Sequence, residues 1–415
     1  MMHGYREAPP AMHNRRASET ARSGRYVRWC WESLALFFPQ KGFVHCSALT
    51  FLCAWGRQQL KTGHYLLFRG DKTTEQNLAR LGLHEHLGLA YQGRSRQRAV
   101  ERFVPLRLIL NEQDVALPAK AIHDLVLQHF ENATDFLPAV DWAVSEILDN
   151  VLRHADATEP GAVYAEYFPN EHRLDIAICD LGRGIYASLG EAMALWSHGH
   201  AVTTALQRGV TRSEDIGQGN GLAGALEIVK KNRGGMLLWT GDVVYRVEGG
   251  QEKGFVQIPE ISGTGVSFSL DTRNPVDLTD TWIASASVNP FVDDKAARFE
   301  NVSPIDVASE CSNTGTRAPA QRLRVEILHR LSEHGGPVTL NFTSVTSASS
   351  SFLDELLGRL AYELGPNGFR EKVKVTGLSG LIVSMANVVI NQRLGNHDPS
   401  AGRQGTAESS TQGEP

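Results

Sequence analysis

From Asp141 to His154 apolar residues recur every three or four positions, with Val144, Ile147, Leu148, Val151 and Leu152 on one stripe, a spacing that predicts a helix. Its polar positions are ordered too. Glu146, Asn150 and His154 follow at steps of four, so each lies about 40° further round and all three share one face. Leu174, Ile176 and Ile178 then alternate through a β-branched run, which predicts a strand over Leu174 to Cys179 that stops abruptly at Asp180-Leu-Gly182-Arg-Gly184. Further on, the loop Gly217-Gln-Gly219-Asn220-Gly221-Leu222 opens a helix with apolar positions at Leu222, Leu226, Ile228 and Val229.

The remaining pattern predicts flanking α/β modules. Behind the centre come a helix around Gln321 to Glu333, a strand over Pro337 to Phe342 and a Ser/Thr-rich turn over Ser344 to Ser351. A helix from Phe352 to Leu364, a strand over Val373 to Thr376 and a helix over Leu381 to Leu394 follow. That β-α-β-α order predicts a small sheet with helices packed on it. Ahead of the centre, a strand at Phe43 to Cys46, a helix over Leu49 to Leu60, a strand over Tyr65 to Phe68 and a helix over Thr74 to Leu81 repeat the plan, though not the sequence. A Phe103-to-Leu110 strand and a helix within Asp114 to Phe130 lead into the central part. The expected class is α/β (α+β), with an N-terminal module at 31–112, a central domain at 113–270, a linker at 271–320 and a C-terminal module at 321–394; polar tails are expected at 1–30 and 395–415.

Each central stretch suggests chemistry. A carboxylate, an amide and an imidazole stacked on a helix can address a metal and a phosphate chain, although the same spacing suits a solvated face. An aspartate at a strand end can accept a hydrogen bond from an exocyclic amine such as that of adenine, and the glycines after it let a flat ligand approach; an ordinary turn has the same composition. A glycine loop running into a helix N-terminus offers unpaired N–H groups to a phosphate. It is not a Walker P-loop, because no Gly-Lys-Ser/Thr follows, and its glycine spacing is not that of a dinucleotide fingerprint.

The order and intervals of these motifs resemble the superfamily of gyrase, Hsp90, histidine kinase and MutL ATPases, the GHKL type, over about Asp141 to Leu270. Gly209-Val-Thr211-Arg-Ser resembles the lead into that family's ATP lid, and Gly263-Thr264-Gly-Val-Ser-Phe-Ser-Leu its closing strand. The resemblance implies a central sandwich that binds ATP and Mg²⁺. Asn150 would bind Mg²⁺, Asp180 the adenine amine, and Thr264 would lie near the adenine. Gly182 and Gly184 would line the base pocket. Gly217, Gly219 and Gly221 would form the lid's hinge and floor, with Asn220 and Leu222 of the same motif among the nucleotide contacts. Glu146 stands where many members keep a general base acting on a water or a protein hydroxyl. His154 corresponds to a basic residue near the phosphates, or is a helix-end histidine facing solvent; Arg212 touches a phosphate when the lid closes, or is a surface charge.

Family membership leaves the reaction open. No helical His-Glu phosphoacceptor motif precedes the domain, and no run of about 18 apolar residues suits a membrane sensor. Ser145-Glu-Ile-Leu-Asp-Asn-Val looks closest to the serine kinases that act as anti-sigma factors. The C-terminal part resembles a STAS-like domain of uncharacterised function, related to anti-sigma-factor antagonists whose serine at this helix start is phosphorylated. Ser349, Ser350 and Ser351 are therefore candidate phosphoacceptors, beside the plain role of a serine cluster as an N-cap. Expected is an ATP-binding regulatory protein, a serine/threonine kinase of the partner-switching type with a protein partner. The alternatives are an ATPase acting as a dimerising clamp, for which a homodimer is expected, and a non-catalytic nucleotide-gated interaction module.

Composition narrows the setting. The 415 residues suit two to three domains, and a net charge of −5 gives no general drive toward nucleic acid. Cys30, Cys46, Cys53, Cys179 and Cys311 form no Cys-x-x-Cys pair, an odd and scattered set that favours reduced thiols in a cytoplasmic protein without membrane insertion. The first 30 residues carry six arginines against Glu7 and Glu19 and read as a solvated extension.

Overall fold

A computed structural model describes residues 33–37, 44–69, 72–89, 102–130, 133–154, 157, 159–210, 221–277, 281, 304–334, 336–345 and 348–395. It is a mixed α/β protein, with one antiparallel sheet and smaller parallel sheets. The chain divides into two compact units, one formed by 1–45 and 55–97, the other by 46–54 and 98–415.

In the first unit β1 (Ser33–Phe37) pairs in parallel with β2 (Tyr65–Arg69); helix α1 (Cys46–Lys61), whose residues 46–54 belong to the second unit, lies between them in sequence, and α2 (Lys72–Arg80) and α3 (Leu83–His86) follow. Gly56 packs against Leu66 and Leu87, and the Arg57 guanidinium donates to the His86 carbonyl at 3.0 Å. Of the strand expected at Phe43 to Cys46, Val44 and His45 are in no regular element and Cys46 is helical, while Phe43 lies outside the described residues. Cys46, Leu49, Leu52 and Cys53 are all buried on a helical period, so Cys46 starts the helix and the strand lies ten residues earlier.

The second unit is built on a five-stranded antiparallel sheet. Its strands are β3 (Phe103–Ile109), β4 (Gly161–Phe168), β5 (Arg173–Asp180), β6 (Gly235–Glu248) and β7 (Gln251–Asp271), in the order β3-β4-β5-β7-β6. Because β3 is hydrogen-bonded to β4, the sheet begins at Phe103 and not beyond 113. Helices α4 (Glu112–His129) and α5 (Ala133–His154) share one hydrophobic core with the sheet, as does α8 (Gly221–Asn232). The short helices α6 (Gly184–Gly190) and α7 (His198–Ala205) come between β5 and α8.

Strand periodicity decides which residues face that core. Leu174, Ile176 and Ile178 join it, as do Val266, Phe268 and Leu270 of β7 and Met236 and Leu238 of β6. The opposite face of β5 is buried as well: Cys179 is hydrogen-bonded by Thr50 from the start of α1, and Phe51 meets Trp239 edge-on at 5.4 Å.

Residues 305–395 form a second layer system. The sheet order is β10-β9-β8, all parallel, from β8 (Ile305–Asp306), β9 (Val338–Asn341) and β10 (Val373–Thr376). Between them run α9 (Val307–Glu310), α10 (Arg317–His334), α11 (Ser350–Leu353) with a π-helical continuation at Asp354–Gly358, and α12 (Arg359–Lys372); α13 (Gly380–Gly395) closes the module. The expected linker 271–320 is therefore too long. Ile305 is a buried strand residue, and α10 begins at Arg317. A two-residue strand has no alternation to read, which hid the start of the module. Nor does the module hang on a tether, since α11 and α13 pack directly against α5.

Candidate functional site

The core-facing alternation carries straight to the end of β5 and into the interiors of β7 and β6 beside it. Asp180 is paired across the sheet with Thr264, and Thr264 with Thr240, so one row over β5, β7 and β6 lines up on the face that holds the helices. Asp180 is buried, and its carboxylate accepts the Gly182 N–H at 2.8 Å and the Thr264 N–H. Burial pushes its pKa up to about 6, against those two donors. Thr240 was not legible as a site residue. Its hydroxyl accepts the Ile185 N–H at 3.2 Å and donates to the Gly263 carbonyl at 2.9 Å, pinning the turn after β5 to the β7 backbone. Gly184 sits in that turn at φ 72°, and a Cβ there would lie 2.8 Å from the Thr240 hydroxyl; only glycine fits both demands.

The second cluster lies on α5. Glu146 and Asn150 are half-buried one turn apart, and His154 is on the last turn of the same helix. Gly221 opens α8 so close to Glu146 that an added Cβ would meet its Oε2 at 2.8 Å. Thus the carboxylate stands beside a helix N-terminus, where unpaired N–H groups favour anions. Leu222 packs on the core from the first turn of α8. Asn150 has no hydrogen-bond partner among the described residues, which leaves its amide oxygen available as a hard-metal ligand. Arg212, Gly217, Gly219 and Asn220 lie outside the described residues.

The serines arrive at the same place. Ser349 is the N-cap of α11, its hydroxyl accepting the Phe352 N–H at 3.0 Å and lying 3.0 Å from the Ser351 hydroxyl. Ser350 points the other way and donates to Glu146 Oε1 at 3.1 Å. All three are buried. Burial and the neighbouring Asp149 push the Glu146 pKa up to about 7, while Arg317 and the Ser350 hydrogen bond pull against the rise.

Sequence reading missed Arg317 entirely. Its Nη1 donates to Asp354 Oδ2 at 2.6 Å and lies 3.5 Å from Glu355 Oε2, and its Nε is 3.4 Å from Asp149 Oδ2 on α5. Arg393 reaches Asp354 from α13 through two bonds of 2.7 Å, and Arg324 and Arg359 hold Glu355 at 3.0 and 3.1 Å. Burial works against the Arg317 charge, but Asp354 and Asp149 outweigh it and hold the guanidinium above its usual range. Burial equally opposes the Asp354 charge, and Arg317 and Arg393 overcome it, keeping that carboxyl well below the ordinary range. The one available sequence signal was Asp354-Glu355 inside an apolar helix, since buried acids demand partners.

The arrangement defines a mixed α/β protein whose C-terminal module meets helix α5 of the central sheet domain through a part-buried ion pair, Arg317–Asp149, and the Ser350–Glu146 hydrogen bond. Residues 319–382 match the family model of a STAS-like domain of unknown function (DUF4325). A search of the curated proteins gave no match. No helix among the described residues is long and apolar enough to cross a membrane.

Proposed function

We propose that the sheet domain binds Mg²⁺-ATP and that the protein is a regulatory serine/threonine kinase of the partner-switching type. The observation that carries this reading is that the motif residues form two clusters on one hydrophobic core: Asp180 bonded by Gly182 and paired with Thr264, and Glu146 set against Gly221 at the start of α8. In it, Asp180 accepts the adenine amine, Asn150 holds the metal and the start of α8 receives the phosphates. Mg²⁺ would supply charge neutralisation along the triphosphate.

A kinase is favoured over a water-activating ATPase by the partner of Glu146. The carboxylate accepts a serine hydroxyl at 3.1 Å, and a pKa of about 7 suits a group that takes up a proton during turnover. Incubation with γ-labelled ATP tests the reading. Label retained on protein supports the kinase, free phosphate alone supports the ATPase, and an absence of nucleotide binding removes both.

A further inference from the structure

The three serines at the start of α11 are not equivalent. Ser349 is engaged as a cap and Ser351 is bonded to it, so their oxygens are committed within the loop. Ser350 alone presents its hydroxyl to a carboxylate, and that carboxylate borders the first residue of α8. Arg317 is the tie that keeps it there. One guanidinium bridges Asp149, a single turn from Glu146 on α5, to Asp354 and Glu355, which continue the helix that Ser350 begins.

We propose that Ser350 is an intramolecular phosphoacceptor of this chain and that Arg317 is the positioning residue for the transfer. The inference rests on the nucleotide reading above. Glu146 takes the Ser350 Oγ proton as a bond forms between Oγ and the terminal phosphorus of a nucleoside triphosphate; the bond from that phosphorus to the bridging oxygen breaks, and the electron pair leaves with the nucleoside diphosphate. The proton on Glu146 then passes to solvent.

The product does not suit the place that made it. Phosphoserine carries about −1.5 to −2 charges, and here it would stand among Glu146, Asp149 and Asp354, with Arg317 already shared between two of them. Transfer would thus loosen the C-terminal module from α5, exposing the serine loop and the carboxylate face together. The reaction is self-limiting at one phosphate per chain.

The test uses the full chain with Mg²⁺ and γ-labelled ATP, at protein concentrations spanning a hundredfold, with the labelled site mapped by mass spectrometry. Expected are phosphate on Ser350, a rate per molecule that does not change with protein concentration, and loss of label in Ser350→Ala. Arg317→Gln should lower the transfer rate at least tenfold with ATP affinity within twofold of wild type. A second readout needs no nucleotide: in Ser350→Glu, amide exchange over 141–151 and 348–354 should accelerate at least tenfold while β4 and β5 stay as protected as in wild type. Label on Ser349 or Ser351, a rate proportional to concentration, bound ATP without protein label, or unchanged exchange in Ser350→Glu would each overturn the proposal. Bound ATP with label on another protein leaves the kinase reading standing; no bound ATP removes both.

Discussion

Asp180 and Glu146 illustrate how burial moves a carboxyl's titration. Both carboxyls have raised pKa values, Asp180 because burial outweighs two N–H donors and Glu146 because burial is reinforced by Asp149. A raised folded-state pKa means that the folded chain binds protons more tightly than the unfolded one, so stability is full below the unfolded pKa and is lost as pH rises toward the folded value. For Glu146 that window runs from about 4.5 to about 7. Glu146→Gln should therefore be more stable than wild type at pH 7.5, by on the order of 3 kcal/mol, with the gap closing by pH 4.5; a thermal melt series across pH checks it. The same replacement should spare ATP binding and lower phosphoryl transfer by about 10²- to 10⁴-fold, the share of a general base. Wild-type transfer should rise with pH through about 7 as Glu146 ionises.

The elements divide sharply by how much pattern they carry. Helix α5 was legible from a long 3.6-residue stripe and strand β5 from the alternation of its aliphatic residues, which fill the core face, and the α10 to α13 order followed from the same kinds of signal. The strand β8 and the start of α10 were not, because two residues and a polar approach offer no period. Docking of the C-terminal module was also hidden, since Arg317 and Asp149 are an ion pair across 168 residues and no local rule joins them. That pair has an energetic consequence. Arg317→Ala would leave Asp354 to Arg393 alone and Asp149 to Arg153, and should cost about 1.5–3 kcal/mol, the range for a hydrogen bond to a charged group, whereas Lys120→Ala, which removes an exposed pair with Asp124 on α4, should cost under about 1 kcal/mol. Urea unfolding of the two variants separates them. Equal, small losses would mean that the α5 contact contributes little to holding the module.

Across the whole molecule, the candidate residues fall in two groups, a cross-strand row that begins at the end of β5 and an α5 face that meets α8 and the C-terminal module. Residue type and order single out Asp180, Gly182, Gly184, Glu146, Asn150, Gly221 and Thr264; the sheet register sets Asp180 beside Thr264, and Gly221 lies against Glu146 where α8 meets α5. Thr240 and Arg317 were not legible, since each acts through a partner distant in sequence: Gly263 in one case, Asp149 in the other. Nucleotide binding is the claim on which the rest depends, and titration calorimetry of the full chain with ATP measures it most directly. Saturable binding in the presence of Mg²⁺ is expected, weakened about 10- to 150-fold in Asp180→Ala, the equivalent of losing one hydrogen bond to a charged group. Asn150→Ala should abolish the Mg²⁺ dependence. No heat of binding from the folded wild type, or equal affinity in wild type and both variants, would contradict the site.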